Sequence, residues 1–153
     1  MSQQTRDPIA EMMQGYAAEA LRLASEFEVK LDYSESSLLE LEAILAKIHS
    51  SAPRITITPS SNDPAQQKID SISRIWGAYF GETIRRLWGG EWGVETYPGT
   101  VAPVISVDIG GAKVFPVMKV YRRLSQGQSE NIWEFYQMIR KKIAGGSNNS
   151  KPE

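Results

Sequence analysis

An α+β fold is what this 153-residue sequence predicts, on three observations. Apolar residues recur at three- and four-residue spacing on both sides of a central stretch. That stretch, Trp92 to Phe115, instead alternates with a period of two and is broken by glycine and proline turns. The chain also has no cysteine and one histidine, so it must fold on its apolar core rather than on disulfides or a metal cluster. A chain of this length buries about 70% of the surface it exposes when unfolded, enough for one domain. The expected architecture is an N-terminal helical pair and a long central helix packed on a small antiparallel β-meander, followed by two C-terminal helices. It is read as one domain over 1–144 with a disordered tail over 145–153.

The elements follow in order. Asp7-Pro8 is an N-cap followed by proline at the first helical position. Ile9, Met12, Met13, Tyr16, Ala17, Ala20, Leu21, Ala24 and Phe27 then mark one helical face, to about Val29. Residues 30–33 are a short extended connector. Ser34 or Ser36 caps a second helix with Leu38, Leu41, Leu45 and Ile48 on one face, although Ser37 with Glu40 also fits a capping box. A short connector between two such helices predicts an antiparallel pair. Ser50 to Gln66 is rich in Ser, Pro, Thr and Asn, and within it Arg54 to Thr58 alternates as a short edge strand would.

Asp63-Pro64 repeats the helix-opening device. Ile69, Ile72, Trp76, Tyr79, Thr83 and Leu87 form the stripe of a long third helix that Gly89-Gly90 ends. Strands follow over Trp92–Tyr97, Val104–Ile109 and Ala112–Phe115, the last two joined by a Gly110-Gly111 turn. Pro116 opens a short helix on Val117, Val120, Tyr121 and Leu124, which Gly127 stops. Ser129 is the expected cap of the final helix, whose apolar face is Ile132, Phe135, Tyr136, Ile139 and Ile143. Arg140, Lys141 and Lys142 are placed in its last turn, where they complement the helix dipole.

Charge is balanced in total but not along the chain. Residues 1–50 carry four basic and nine acidic side chains, whereas residues 101–153 carry eight basic and four acidic. The sparse basic charge gives no reason to expect nucleic acid as a partner. No apolar run approaches the about 20 residues of a membrane span, and the polar start Met1–Arg6 shows no signal-peptide pattern. The expected compartment is the cytoplasm, with no membrane partner, no cofactor and no metal.

The most distinctive segment is Trp76 to Trp92, WGAYFGETIRRLWGGEW. Two glycines inside a helix cost about 1 kcal/mol each relative to alanine, so Gly77 and Gly81 need a compensating role. Four residues apart, they cut a notch into one helix face. Close helix packing is the commoner use of such a notch, and a ligand approaching the backbone is the other. Glu82 stands one residue past it, within reach of Arg85 and Arg86 at i+3 and i+4. With Tyr79 and Trp88 nearby, this cluster is either a polar binding or acid/base site or an ion pair ordering the helix end. Glu19 and Asp32 are the other carboxylates of interest, and Glu19 meeting Glu82 would form a paired-carboxylate site. His49, at the end of the second helix, suits the helix dipole. Neither a nucleophile elbow nor a phosphate loop occurs. Trp88 and Trp133 lie beside their helical stripes and are the tryptophans expected at the surface, where Trp beside Arg makes a hot spot for a protein partner.

The pattern G-A-Y-x-G-E-x-x-R-R-x-x-G-G-x-W over Gly77–Trp92 resembles the signature of an uncharacterised family of small bacterial cytoplasmic proteins. Leu31-Asp32-Tyr33-Ser34 with Ser37-Leu38, and Phe115 to Leu124 (FPVMKVYRRL), are similar to the same family, so that the resemblance runs from about Tyr16 to Tyr136. It implies a bacterial cytoplasmic origin and little chemistry; some small α+β proteins of this kind act as immunity proteins against polymorphic toxins. The functional expectation is therefore a non-enzymatic module that binds another protein or forms a homo-oligomer. The alternative is a ligand-binding or hydrolytic domain centred on Glu82, Arg85 and Arg86.

Overall fold

A computed structural model describes residues 7–51 and 64–149. The expected strand at Arg54–Thr58 and residues 150–153 of the expected tail lie outside the described residues. Five α-helices and one three-stranded antiparallel sheet make up the fold: α1 (Pro8–Ala24), α2 (Ser37–Ser51), α3 (Pro64–Trp88), β1 (Glu91–Thr96), β2 (Pro103–Ile109), β3 (Ala112–Val114), α4 (Pro116–Gln126) and α5 (Ile132–Asn149). Single 3₁₀ turns follow α1 at Ser25–Phe27 and precede α5 at Gln128–Glu130.

Local chemistry accounts for most boundaries. The Asp7 carboxylate accepts from the Ile9 N–H at 3.0 Å, and Pro8 follows it. Ser34 Oγ accepts from the Ser37 N–H at 3.2 Å, closing the turn that leads into α2, whose first helical residue is Ser37. At the end of α3, the Gly89 and Gly90 N–H groups both donate to the Arg85 carbonyl, at 2.7 and 3.2 Å. Gly89 takes φ +79, open to glycine at no steric cost. The β2–β3 turn has φ +59 at Gly110 and +94 at Gly111, the left-handed pair that a two-residue hairpin requires.

Three expectations need correction. First, α1 and α2 are not a packed pair. α1 lies chiefly against α3, whereas α2 lies against α4 and α5. The connector between them is not a plain extended link: it holds a 3₁₀ turn and two left-handed residues, Glu28 at φ +60 and Tyr33 at φ +64. Second, Asn131 rather than Ser129 caps α5, with its side-chain oxygen accepting from the Glu134 N–H at 2.9 Å. The Gln128–Glu130 turn displaces the helix start by two residues. Third, α5 continues through Asn149, so residues 145–149 are helical and Arg140–Lys142 stand within the helix, not in its last turn.

The sheet has order β1-β2-β3, with Trp92 opposite Val107 and Val107 opposite Val114. These three side chains are buried and form the rung on which α3 and α4 settle. The glycine notch on α3 is the seat. A methyl group at Gly77 would lie 2.5 Å from Val117 Cα, and one at Gly81 would collide with the Trp92 indole and lie 2.8 Å from Pro116 Cγ. The notch is therefore filled by the start of α4 and by the sheet, as the packing reading requires.

Alanine at Gly81 is expected to destabilise the protein by about 2 kcal/mol, since an added methyl in a filled site costs about 1–3 kcal/mol and outweighs the helix-propensity gain. Gly15 sits on the exposed face of α1 with nothing near it, so Gly15→Ala should instead stabilise by about 0.5–1 kcal/mol. Urea unfolding of the two variants, with opposite signs, checks the notch.

Candidate functional site

Glu82 is fully buried near the C-terminal end of α3, and its carboxylate is surrounded by donors. Oε1 accepts from Arg85 Nε at 3.0 Å and from the Trp92 indole N–H at 2.9 Å. Oε2 accepts from the second Arg85 guanidinium nitrogen at 2.8 Å and from Arg86 Nε at 2.9 Å. Helical spacing delivers the two arginines, because i+3 and i+4 flank the same face. Trp92 comes from β1, after Gly89 and Gly90 have turned the chain back on the helix. Burial alone would raise the Glu82 pKa. The hydrogen bonds from Arg85, Trp92 and Arg86, with the Arg85 charge, reverse this and lower it from 4.5 to about 2.

The cluster continues outward. The Arg86 guanidinium lies 3.7 Å from the centre of the Tyr33 ring, and Tyr33 stacks on Tyr79 at 5.0 Å. The buried Tyr79 hydroxyl accepts from the Tyr33 N–H at 2.8 Å and is 2.6 Å from Ser37 Oγ. One polar chain thus ties β1 to α3, to the connector and to the start of α2.

Of the residues singled out in the sequence, Tyr79, Glu82, Arg85 and Arg86 come together here. Asp32 is beside them in sequence but exposed, and its carboxylate accepts from the Ser34 N–H and hydroxyl, a local turn that lowers its pKa. Glu19 does not join Glu82, since its carboxylate is held at the surface of α1 by Arg22. The paired-carboxylate site is therefore not formed. Trp88 and Trp133 are half-buried and packed against the core rather than displayed, with Trp133 stacked obliquely on Tyr136 at 5.7 Å. His49 clamps two helices: its Nδ1 lies 2.7 Å from the Leu124 carbonyl, an acceptor that places the ring proton on Nδ1.

Several partners were missed from sequence. Trp92 closes the Glu82 cage. A second carboxylate, the partly exposed Glu42 of α2, accepts from Arg123 Nε and from the Ile132 N–H, both at 2.8 Å, and so joins α2 to α4 and to the first turn of α5. Arg123 is 2% exposed. The available signal was an arginine at i+3 from Val120 and next to Leu124, on the apolar side of an otherwise regular stripe. Glu35 accepts from the buried Tyr136 hydroxyl at 2.6 Å, and burial together with this bond pushes Tyr136 up to about 12.

Two concave sites remain. A groove of about 550 Å³ lies between α3, the β1–β2 pair and α4. Val94 and Ile105, paired across the strands, continue the Trp92–Val107 face of the sheet into it. On its α3 wall, Gln66 Oε1 and Ser73 Oγ are buried with no hydrogen-bond partner among the described residues; leaving such a group unpaired costs about 1–3 kcal/mol. A smaller recess of about 350 Å³ is bounded by Tyr97, Phe115, Lys119, Arg122 and Phe135. Lys119 is paired with Glu130 at 2.7 Å, whereas Arg122 lies over the Tyr97 ring at 5.4 Å and forms no ion pair among the described residues.

Among the described residues no three His, Asp or Glu side chains are grouped to hold a metal ion, and no helix is long and apolar enough to cross a membrane. Among the described residues, fold and site define an α+β protein of five helices and a three-stranded antiparallel sheet, organised around two carboxylate clamps, Glu82 and Glu42. No family model, curated protein or solved structure matches the chain.

The ionised Glu82 contributes stability that is fully present above pH 4.5 and is lost as pH falls toward 2, because its folded pKa is the depressed one. A fall from 4.5 to about 2 corresponds to about 3 kcal/mol. Glu82→Gln should lower stability at pH 7 by about 3 kcal/mol and flatten the loss between pH 4.5 and 2. Denaturant titrations across that range on both proteins measure it.

Proposed function

We propose that this protein is a non-enzymatic interaction module of the immunity or adaptor type, whose partner is another protein. Support comes first from the chemistry that the Glu82 cluster lacks. A general base needs a free lone pair facing substrate and a pKa near working pH. Glu82 has four N–H donors on its two oxygens, no exposure and a pKa of about 2. It does not line the groove or the recess. Its geometry suits a structural clamp, and the hydrolytic reading loses its centre.

The observation that carries the reading is the recess between β3, α4 and α5. Tyr97, Phe115 and Phe135 give it aromatic walls, and Arg122 offers a guanidinium without an ion-pair partner among the described residues. Tyr and Arg around a concave centre are the residue types that dominate protein–protein hot spots. Lys113 and Lys119 at its edge are ion-paired, so Arg122 supplies the positive charge that an acidic group on a partner would complement. A cytoplasmic location fits this reading.

The test is affinity capture from the native host with wild type, Tyr97→Ala and Arg122→Glu. A specific partner should be retained by wild type and lost about 100-fold or more by Arg122→Glu, as for a hot spot of 3 kcal/mol or above. Melting temperatures within about 2 °C of wild type show that the variants fold. Retention of the same partner by Arg122→Glu counts against the recess. A hydrolytic activity that survives in wild type and vanishes in a folded Glu82→Gln counts against the non-enzymatic reading.

A further inference from the structure

The recess between β3, α4 and α5 has a charge pattern that its aromatic walls do not explain. Among the described residues, Lys113, Lys119 and Arg122 line it and no Asp or Glu does. Two of these cations are neutralised by groups outside the lining. Lys119 meets Glu130 at 2.7 Å, and Lys113 meets Asp108 at 2.7 Å and Glu95 at 3.1 Å. Arg122 stands apart. Its guanidinium lies over the Tyr97 ring at 5.4 Å, a contact that places it without giving its N–H groups an acceptor. Those groups are within reach of a ligand, because Arg122 is partly exposed and its nitrogens are not among the buried polar atoms that lack a partner. Tyr97 is itself fixed by a turn. Its N–H donates to the Ala102 carbonyl at 3.0 Å, and its carbonyl accepts from the Thr100 N–H at 3.0 Å and hydroxyl at 2.9 Å. Phe115 meets the Tyr97 ring edge-on at 5.1 Å, and Lys119 Nζ lies 4.8 Å from the centre of the Phe135 ring.

We propose that this recess receives a carboxylate side chain of the protein partner, an Asp or Glu with a bulky apolar neighbour in the same short segment. The inference rests on the protein-partner reading above and adds the chemistry that is recognised. Lys119 and Arg122 are i and i+3 on α4, so both present their charge to one face. The planar guanidinium of Arg122 matches a carboxylate with two parallel N–H bonds. Lys119 gives one N–H to Glu130 and has further donors for the same anion. The apolar neighbour rests on Tyr97, Phe115 and Phe135, in a volume of about 350 Å³ that suits inserted side chains rather than a flat face. The charge count selects a carboxylate over a phosphate. Arg122 is the one lining cation without an anion among the described residues, so it matches a single negative charge. A phosphate would bring a second one close to Glu95, Asp108 and Glu130.

Three capped tetrapeptides probe this: acetyl-Ser-Trp-Glu-Ser-amide and its counterparts with Gln or phosphoserine in place of Glu. In titrations of the full chain followed by amide ¹H–¹⁵N spectra, the Glu peptide should bind saturably, with shifts centred on residues 97–98, 113–115, 118–122 and 135. The Gln peptide should bind at least about tenfold more weakly, the factor of a lost charge-assisted hydrogen bond. The phosphoserine peptide should bind no more tightly than the Glu peptide. Arg122→Gln should abolish the preference for Glu over Gln, and Arg122→Lys should keep part of it. Arg74→Gln, on the wall of the larger groove, should leave both affinities unchanged. Equal binding of the Glu and Gln peptides, tighter binding of the phosphoserine peptide, no saturation up to solubility, or a Glu preference that survives Arg122→Gln would each overturn the proposal. Failure of the protein-partner reading looks different. A host protein captured by wild type and lost by Arg122→Glu, with Glu and Gln peptides that bind alike, keeps that reading and removes the carboxylate. A Glu preference that depends on Arg122, with no host protein captured, does the opposite.

Discussion

The structure depends on one buried charge. Glu82 has no exposure, yet its four hydrogen bonds leave neither oxygen unsatisfied. A buried ion without such partners costs several kcal/mol, so the elements that bring the partners are held in place by the need to satisfy it. Arg85 and Arg86 come with the helix, but Trp92 comes only if β1 folds back against α3. That return requires Gly89 in the left-handed region and Gly81 with no side chain where the indole lies. Once Trp92 is seated, its pairing with Val107 sets the register of the sheet, and Pro116 and Val117 of α4 close over the glycine notch.

A second carboxylate does comparable work on the other side. Glu42 is bound by Arg123 and by the first backbone N–H of α5, so α2, α4 and α5 meet at a single side chain. Between the two clamps runs Tyr79, stacked on Tyr33 and hydrogen-bonded to the start of α2. Apolar burial supplies most of the stability of such a domain. The polar chain adds direction, because charged hydrogen bonds tolerate few alternative arrangements. The arrangement also bears on function, since the acidic groups with the most distinctive surroundings are committed to holding the fold. What is left open is a groove with an apolar floor and a recess with aromatic walls.

Much of this was legible in the sequence. Periodicity located the helices and the strands, because each buries one face of fixed spacing. Asp7-Pro8, Gly89-Gly90 and Gly110-Gly111 marked boundaries because each answers a local backbone need. The Glu82 pairing with Arg85 and Arg86 was legible for the same reason, being i+3 and i+4. What was not legible depends on tertiary geometry. Trp92 as the closing donor, Glu42 with Arg123 across 81 residues, and the Tyr136 hydroxyl on Glu35 are set by how elements meet. The connector between α1 and α2 was misread as plainly extended because its two left-handed residues, Glu28 and Tyr33, have no glycine to announce them. The groove was invisible because its walls come from residues 66–74, the two strands and α4 at once.

Titration of the Glu82 side-chain carboxyl, followed by its ¹³C shift in the folded protein, addresses the role of this residue most directly. A carboxylate held by two arginines and an indole N–H should stay ionised down the acid range, with its midpoint at about 2. A midpoint at or above 4.5 would contradict the clamp, because a neutral carboxyl cannot accept those four bonds and would be free to act as an acid or a base.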